Sequence, residues 1–276
     1  MIPFNNLAYP IVIRLLTLLL VVGTAGTSYG QKFTLGIKAK GSLTWAGFGD
    51  KEAKDTFGSR MKPGFGAAIL IGFPLKDKYD LMLEGGVSQS GRILTFNDNP
   101  EWRNNLTMRT VDMGMLLRRN FEFMLKKDTP AKGFVALGPE ISYWINSNGF
   151  ITVTDGPKYR YDVAFESDEE GGNSGYLLKL QDVNRWLFSL NIGAGLRAPL
   201  RNNRFITTEI RFTSGHTFLG KENSAFMERF IWGPGSMQDT MRTNMKTVSL
   251  IVAYTIDIDV KEKRKGKSTI KKKLKR

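Results

Sequence analysis

Apolar and polar residues alternate with period two in eight short stretches of this chain. In the first stretch, Phe33, Leu35 and Ile37 lie on one face, while Thr34 and Lys38 lie on the other. Successive side chains of a β-strand point to opposite faces, so this period predicts strands with one apolar face. The predicted strands span residues 33–45, 61–73, 78–90, about 107–123, 133–145, 186–197, 205–213 and 245–258.

Each predicted strand is long enough to cross a bilayer, which takes roughly 9–11 residues in a tilted strand. Long connections alternate with tight ones. The long connections are 46–60, 91–106, 146–185 and 214–244, and the tight ones are 74–78, 126–132 and 198–203. This pattern predicts an all-β fold, an eight-stranded antiparallel up-and-down transmembrane β-barrel with long extracellular loops. Pro139 interrupts the fifth strand and predicts a β-bulge there.

A soluble barrel or sandwich would also alternate, but its polar face would be rich in Lys and Glu. Here the polar face carries many Ser and Thr residues together with nine glycines. These are Gly36, Gly64, Gly66, Gly72, Gly86, Gly114, Gly138, Gly193 and Gly195. Small residues suit the crowded interior of a narrow barrel, so the pattern favours the membrane barrel over the soluble alternative.

The N-terminal thirty residues have the features of a cleavable export signal. Arg14 precedes the apolar run 15–22, and Ser28 and Gly30 are small residues at −3 and −1 of a cleavage site. An uncleaved anchor is the alternative, but the run is shorter than the ~20 residues of a spanning helix. We expect a signal peptide at 1–30, an outer-membrane barrel at 31–260 and a disordered, basic periplasmic tail at 261–276.

The basic charge of the chain is concentrated in this tail. The whole chain carries a formal net charge of +14, and residues 261–276 hold ten Lys or Arg and one Glu. Subtracting the +9 of the tail and Arg14 leaves about +4 for residues 31–260. With both termini in the periplasm, nucleic acid is not the expected partner. Anionic headgroups, cell-wall carboxylates or an acidic envelope protein fit the charge, and a solvated end is the alternative.

Charged residues on the polar face are predicted to fill the lumen as a structural network. They are Lys38, Lys40, Asp80, Glu84, Asp112, Arg118, Glu140, Arg197, Glu209 and Arg211, five of each sign. An eight-stranded barrel has an interior that side chains fill, and enclosed charges must be paired. We therefore expect a closed barrel rather than an open pore. A proton or ion relay along the carboxylates is the functional alternative.

Candidate catalytic chemistry is sparse. The chain has no cysteine, and its one histidine, His216, follows the seventh strand at its outer end. It is a candidate base for an outer-leaflet lipid-modifying enzyme, but spacing identifies no partner carboxylate. In the 146–185 loop, 168–170 (Asp-Glu-Glu) lacks the oxygen spacing of a calcium loop, so a solvated acidic run is favoured. We expect no enzymatic activity and no cofactor.

Four predicted strands carry distinctive motifs, namely VDMGMLLRR (111–119), FVALGPEISYWI (134–145), LNIGAGLR (190–197) and TEIRFTSGHTFL (208–219). These motifs resemble strands of the PorT-like outer-membrane β-barrel family of Bacteroidetes. The first resembles that family's fourth strand, with Gly114 where the family usually has proline, and the others are similar to three later strands. The resemblance implies an accessory of type IX secretion and gliding machinery, although many members have no assigned role. The long loops and the basic tail depart from the family pattern.

Together these observations predict a non-enzymatic outer-membrane scaffold or interaction protein. Its surroundings would be outer-membrane lipid, and an envelope protein partner would bind through the extracellular loops and the tail. The alternatives are a lipid-modifying enzyme using His216 and a small narrow channel.

Overall fold

The computed structural model describes residues 32–49, 51–76, 78–97, 102–126, 129–152, 158–165, 177–180, 183–220, 230–232, 235–237 and 242–259. The predicted signal peptide and basic tail lie outside these described residues. In chain order the elements are β1 (Lys32–Phe48), α1 (Lys51–Thr56), β2 (Phe57–Arg60), β3 (Lys62–Lys76), β4 (Tyr79–Phe96), β5 (Arg103–Lys126), β6 (Thr129–Thr152), β7 (Lys158–Phe165), β8 (Leu177–Leu180), β9 (Trp186–Pro199), β10 (Arg204–Gly215), β11 (Phe230–Trp232), β12 (Gly235–Met237) and β13 (Thr243–Asp259).

Eight of these strands form a closed ring, and every neighbouring pair in it is antiparallel. The order round the ring is β1, β3, β4, β5, β6, β9, β10 and β13. The ring closes between β13 and β1, whose register runs from Lys32↔Asp259 to Phe48↔Thr243. The predicted all-β, eight-stranded, up-and-down antiparallel barrel is confirmed.

The two ends of the ring differ in their connections. Three hairpins close within a few residues, at 77–78, 127–128 and 200–203, and we call this the turn end. Asn202 and Asn203 both have φ near +60°, a left-handed geometry that suits a tight hairpin and that Asn tolerates. Lys32 and Asp259 also lie here, so the ring begins and ends at the turn end. The opposite end is called the long-loop end.

The strands extend further toward the long-loop end than the sequence predicts. β4 and β5 stay paired to Thr95↔Arg103, inside the predicted 91–106 loop. β6 continues to Thr152 and pairs there with β7, inside the predicted 146–185 loop. The reason is that backbone hydrogen bonding continues above the membrane, where outward side chains such as Arg103 and Arg109 no longer have to be apolar. Hydrophobic periodicity therefore marks the bilayer crossing and not the whole strand.

The bulge predicted at Pro139 is wrong. Gly114↔Glu140 and Leu117↔Leu137 share one register, so no residue is inserted between them. On the other side, Pro139 stays in register with Leu190 of β9. The register of the β5–β6 pair shifts instead between 109 and 110 and again between 124 and 126. Pro139 removes one donor from the ladder without displacing the strand.

Large apolar side chains cover the outside of the ring. Ile37, Phe65 and Ile210 are each more than 60% exposed, and similar residues lie on all eight ring strands. A contiguous apolar surface of this extent is not stable in water and marks contact with lipid. No helix in the described part of the chain is both long and apolar enough to span a membrane.

Candidate functional site

The centre of the lumen holds a network of four charged side chains. Glu209 and Arg211 lie two residues apart on β10, so both point into the ring. The Arg211 guanidinium contacts Glu84 and Glu209, each at 2.6 Å, and Lys38 forms a third ion pair with Glu84. Each of the four side chains is 8% exposed or less. Two cations and two carboxylates therefore neutralise each other out of contact with bulk water.

A second ion pair lies beside this network. Lys40 Nζ is 3.3 Å from Asp112 Oδ2. The hydroxyls of Ser88 and Thr110 donate to the same carboxylate, at 2.5 and 2.7 Å. Asp112 therefore has partners for both of its oxygens, as a carboxylate enclosed in a narrow barrel requires.

Two arginines close the lumen toward the turn end. Arg118 donates to Asp80 at 2.7 Å, and its guanidinium lies 4.9 Å from the centre of the Phe134 ring. Arg197 donates to Asp257 at 2.6 Å and also stacks on an aromatic ring. Both guanidiniums combine an ion pair with a cation–π contact, and this fixes them across the opening.

Nine of the ten residues in the predicted luminal set take part in these ion pairs, and Glu140 does not. Among the described residues, its carboxylate accepts a hydrogen bond from Asn191 Nδ2 at 3.2 Å and has no cationic partner. The fifth paired carboxylate is Asp257, which the sequence analysis missed. It lies two residues after Thr255 on the polar face of β13. Continuing the period-two alternation by one step from Thr255 would therefore have placed Asp257 in the lumen.

Apolar side chains also fill the lumen, and the sequence analysis did not predict them. Leu70, Met82, Leu116 and Ala253 form one buried cluster inside the ring. A second cluster lies at the long-loop end and comprises Leu106, Met108, Trp144, Ile151 and Leu219. Most of these residues occupy inward positions on strand faces that the period-two pattern marked as polar. Leu106, Ile151 and Leu219 instead fall within stretches that the sequence analysis predicted as loops.

The cavities that described residues enclose at the centre of the ring are small. Two cavities of about 20 Å³ lie on either side of Lys38 and Glu84, which line both. A third, of about 80 Å³, lies between Asp112, Glu140 and the cluster at the long-loop end. A water molecule needs roughly 10–15 Å³ of such space, so a cavity of 20 Å³ holds one water and no hydrated ion. A vestibule of about 1030 Å³ opens at the turn end below Arg197 and Asp80.

Candidate catalytic and metal-binding residues do not form a site in the described structure. His216 is exposed, and its backbone N–H donates to the Phe188 carbonyl at 2.8 Å. Among the described residues, no carboxylate is hydrogen-bonded to its imidazole. The acidic run at 168–170 lies outside the described residues. Within them, no group of three or more His, Cys, Asp or Glu side chains is placed to hold a metal ion.

Comparison with known proteins gives a family match and several distant structural similarities. A family model described as outer membrane protein beta-barrel domain matches residues 28–217. No curated protein matches the sequence. OprG from Pseudomonas aeruginosa superposes with a TM-score of 0.44 at 8% identity, covering 83% of this chain and 96% of OprG. Neisserial surface protein A superposes with a TM-score of 0.36 at 12% identity, covering 80% of this chain and 96% of that protein. Ail from Yersinia pestis superposes with a TM-score of 0.33 at 10% identity, covering 82% of this chain and 99% of Ail.

Proposed function

This chain belongs to the outer membrane protein beta-barrel domain family, and we propose that it acts in the outer membrane as a closed, non-enzymatic scaffold. The observation that carries the proposal is the filled lumen. The Arg211 network and the apolar cluster around Leu116 leave room for single waters beside Lys38. A diffusion pore needs a wider barrel or a continuous wet path. The contact surfaces of the proposed scaffold are then its loops and its tail.

We propose that both termini face the periplasm and that the long loops face outward. The ring begins at Lys32 and ends at Asp259, both at the turn end, where three hairpins are short. Bacterial barrels have short periplasmic turns and longer extracellular loops. In this orientation the 261–276 segment enters the periplasm, and nucleic acid is not its partner.

The closed lumen predicts no ion conduction. Full-length protein reconstituted in a planar lipid bilayer should give no discrete current steps in 1 M KCl, because the two small cavities admit no hydrated ion. A general porin reconstituted in the same way is the positive control. Reproducible current steps that scale with the amount of protein would refute the closed scaffold and favour the narrow-channel alternative.

We propose that the tail binds an acidic envelope protein, and the resemblance of 111–119 to PorT-like barrels makes a type IX secretion component the first candidate. Its ten basic residues give it a net +9, which favours an acidic partner at physiological ionic strength. Crosslinking and pull-down from outer membranes should recover a defined partner with the full chain and lose it on truncation after Val260.

A full-length variant with the ten tail Lys and Arg residues changed to Gln is the matched control for charge. It should lose the partner as the truncation does. If both variants recover the same proteins as the unmodified chain, the tail is not the binding element, and the proposal that it binds an acidic envelope protein is refuted.

The non-enzymatic assignment has its own test at His216. The imidazole is exposed and, within the described residues, lacks the carboxylate that would orient it as a base. His216→Ala should leave the lipid A profile of the producing strain unchanged by mass spectrometry. A lipid A species that disappears in the His216→Ala strain and returns with the unmodified gene would show that the chain is a lipid-modifying enzyme.

A further inference from the structure

Four cations lie together on the outward face of the strands that extend beyond the apolar belt. Arg103 and Arg109 are on β5, and Lys158 and Arg160 are on β7. All four side chains are exposed. β6 lies between the two strands and pairs with both, so the four residues share one continuous surface. We call this surface the outer basic patch.

The strand register brings the four residues onto the same side of the sheet. Thr152 of β6 pairs with Arg103 on one side and with Lys158 on the other. Phe150 pairs in the same way with Asn105 and Arg160. Directly paired residues of antiparallel strands point to the same face, and neighbouring strands lie about 4.8 Å apart. Arg103 and Lys158 are therefore about 10 Å apart at the backbone.

In the described structure, one cation of the outer basic patch lies over an aromatic ring, and none of the four has an anionic partner. Lys158 Nζ lies 5.9 Å from the centre of the Phe150 ring, which is 37% exposed. Among the described residues, no ion pair joins any of the four cations to a carboxylate. Within the described part of the chain, nothing neutralises the four positive charges of this surface.

The patch continues directly from the lipid-facing surface. On the same face of β5, Arg109 is followed by Val111 and Met113, which are 39% and 47% exposed. Outward apolar residues then continue to Phe121. At about 3.4 Å per residue and a tilt near 40°, Val111 to Phe121 spans roughly 26 Å, the thickness of the apolar band of an outer-membrane barrel. Arg109 therefore lies at the level of the lipid headgroups.

We propose that the outer basic patch binds the phosphates of a phosphorylated outer-leaflet glycolipid of the lipid A class. Arg109 contacts the phosphate nearer the acyl chains, and Arg103, Lys158 and Arg160 contact the second phosphate of the glycolipid, further out. Arginine suits this ligand because its planar guanidinium binds phosphate oxygens in pairs. The acyl chains lie against the belt below Val111. The inference rests on the proposed orientation, in which the long-loop end faces outward.

The experiment measures lipid A binding to the full-length, refolded protein in detergent by native mass spectrometry. The patch variant changes Arg103, Arg109, Lys158 and Arg160 to Gln. The control variant changes four exposed cations at the turn end to Gln, namely Lys78, Arg119, Arg201 and Arg204. Both variants lose the same net charge. The heat-dependent shift in electrophoretic mobility that marks a folded barrel confirms that each is folded.

The unmodified protein and the control variant should bind bisphosphorylated lipid A at least tenfold more tightly than the patch variant. With dephosphorylated lipid A the three proteins should bind equally. Equal binding of bisphosphorylated lipid A by all three would overturn the proposal and indicate that the patch is neutralised by the chain's own acidic loops. An equal loss in both variants would overturn it too, because net charge alone would then explain the binding.

The orientation is tested separately, because binding in detergent does not depend on it. The chain has no cysteine, so Lys51→Cys places a single thiol at an exposed position of α1, at the long-loop end and outside the outer basic patch. A membrane-impermeant maleimide should label it on intact cells. Failure of labelling together with patch-dependent binding would refute the orientation and leave the phosphate site standing. Labelling without patch-dependent binding would refute the phosphate site alone.

Discussion

Arg211→Met should lower the free energy of unfolding of the barrel by about 3–5 kcal/mol, the cost of leaving a buried charge without its partner. Arg211 contacts both Glu84 and Glu209, and its side chain is 4% exposed. Methionine keeps most of the apolar stem, so the loss reports on charge more than on volume. The measurement is urea denaturation in lipid vesicles, followed by the fluorescence of the five tryptophans.

Two companion variants test whether the lower free energy of unfolding of Arg211→Met comes from the unpaired buried charge. Lys132→Met breaks the ion pair with Glu122 at the turn end, where the two side chains are 49% and 76% exposed, and should cost less than about 1 kcal/mol. Arg211→Met combined with Glu209→Gln should recover most of the loss, since Lys38 and Glu84 still neutralise each other. If Arg211→Met and Lys132→Met are equally stable, the luminal network does not hold the barrel together. If Arg211→Met does not fold, the double variant still tests the charge balance.

Ile69→Arg should destabilise the barrel in lipid by about 2–4 kcal/mol, the cost of a basic side chain at the middle of the bilayer. Ile69 lies on the outward face of β3 and is 61% exposed. Its cross-strand neighbours are Ile37 and Gly85, so the new charge meets no carboxylate in either pair. In a soluble protein the same substitution at an exposed site would cost about 0.5 kcal/mol or less. The vesicle denaturation assay measures the difference.

Met61→Arg is the matched control for depth. Met61 is 60% exposed, comes just before β3, and lies eight residues before Ile69, roughly 27 Å along the strand. It is therefore beyond the apolar band, and arginine there should cost about 0–1 kcal/mol. Similar stabilities for the two variants would mean that the apolar surface around Ile69 is not covered by lipid.

The outward surface could be predicted from the sequence because lipid imposes a simple requirement on it. Phe65, Ile69 and Ile210 had to be apolar to face hydrocarbon, and each lies where the period-two pattern puts it. The eight strands and their antiparallel order follow from the same pattern. The pattern weakens above the membrane, and for this reason the extensions of β4, β5 and β6 were predicted as loops.

The contents of the lumen were only partly predictable. Alternation identified Arg211 and Glu84 as inward residues, but the two lie 127 positions apart and meet only because the ring closes. It did not separate Leu116 from its polar neighbours on β5, because an inward position in a packed barrel accepts either an apolar side chain or a paired polar one. Pro139 was misjudged for a related reason, since the neighbouring strands held the register across it.

The sequence by itself determined the architecture and the lipid-facing surface, because these depend on residue type and spacing along one strand. Only the tertiary structure decided which partners meet. It paired Arg197 with Asp257, left Glu140 with Asn191, and placed Arg103 beside Lys158 across β6. Such pairings depend on the register between strands that are distant in the chain. Register is set by the packing of the whole ring, and no single segment encodes it.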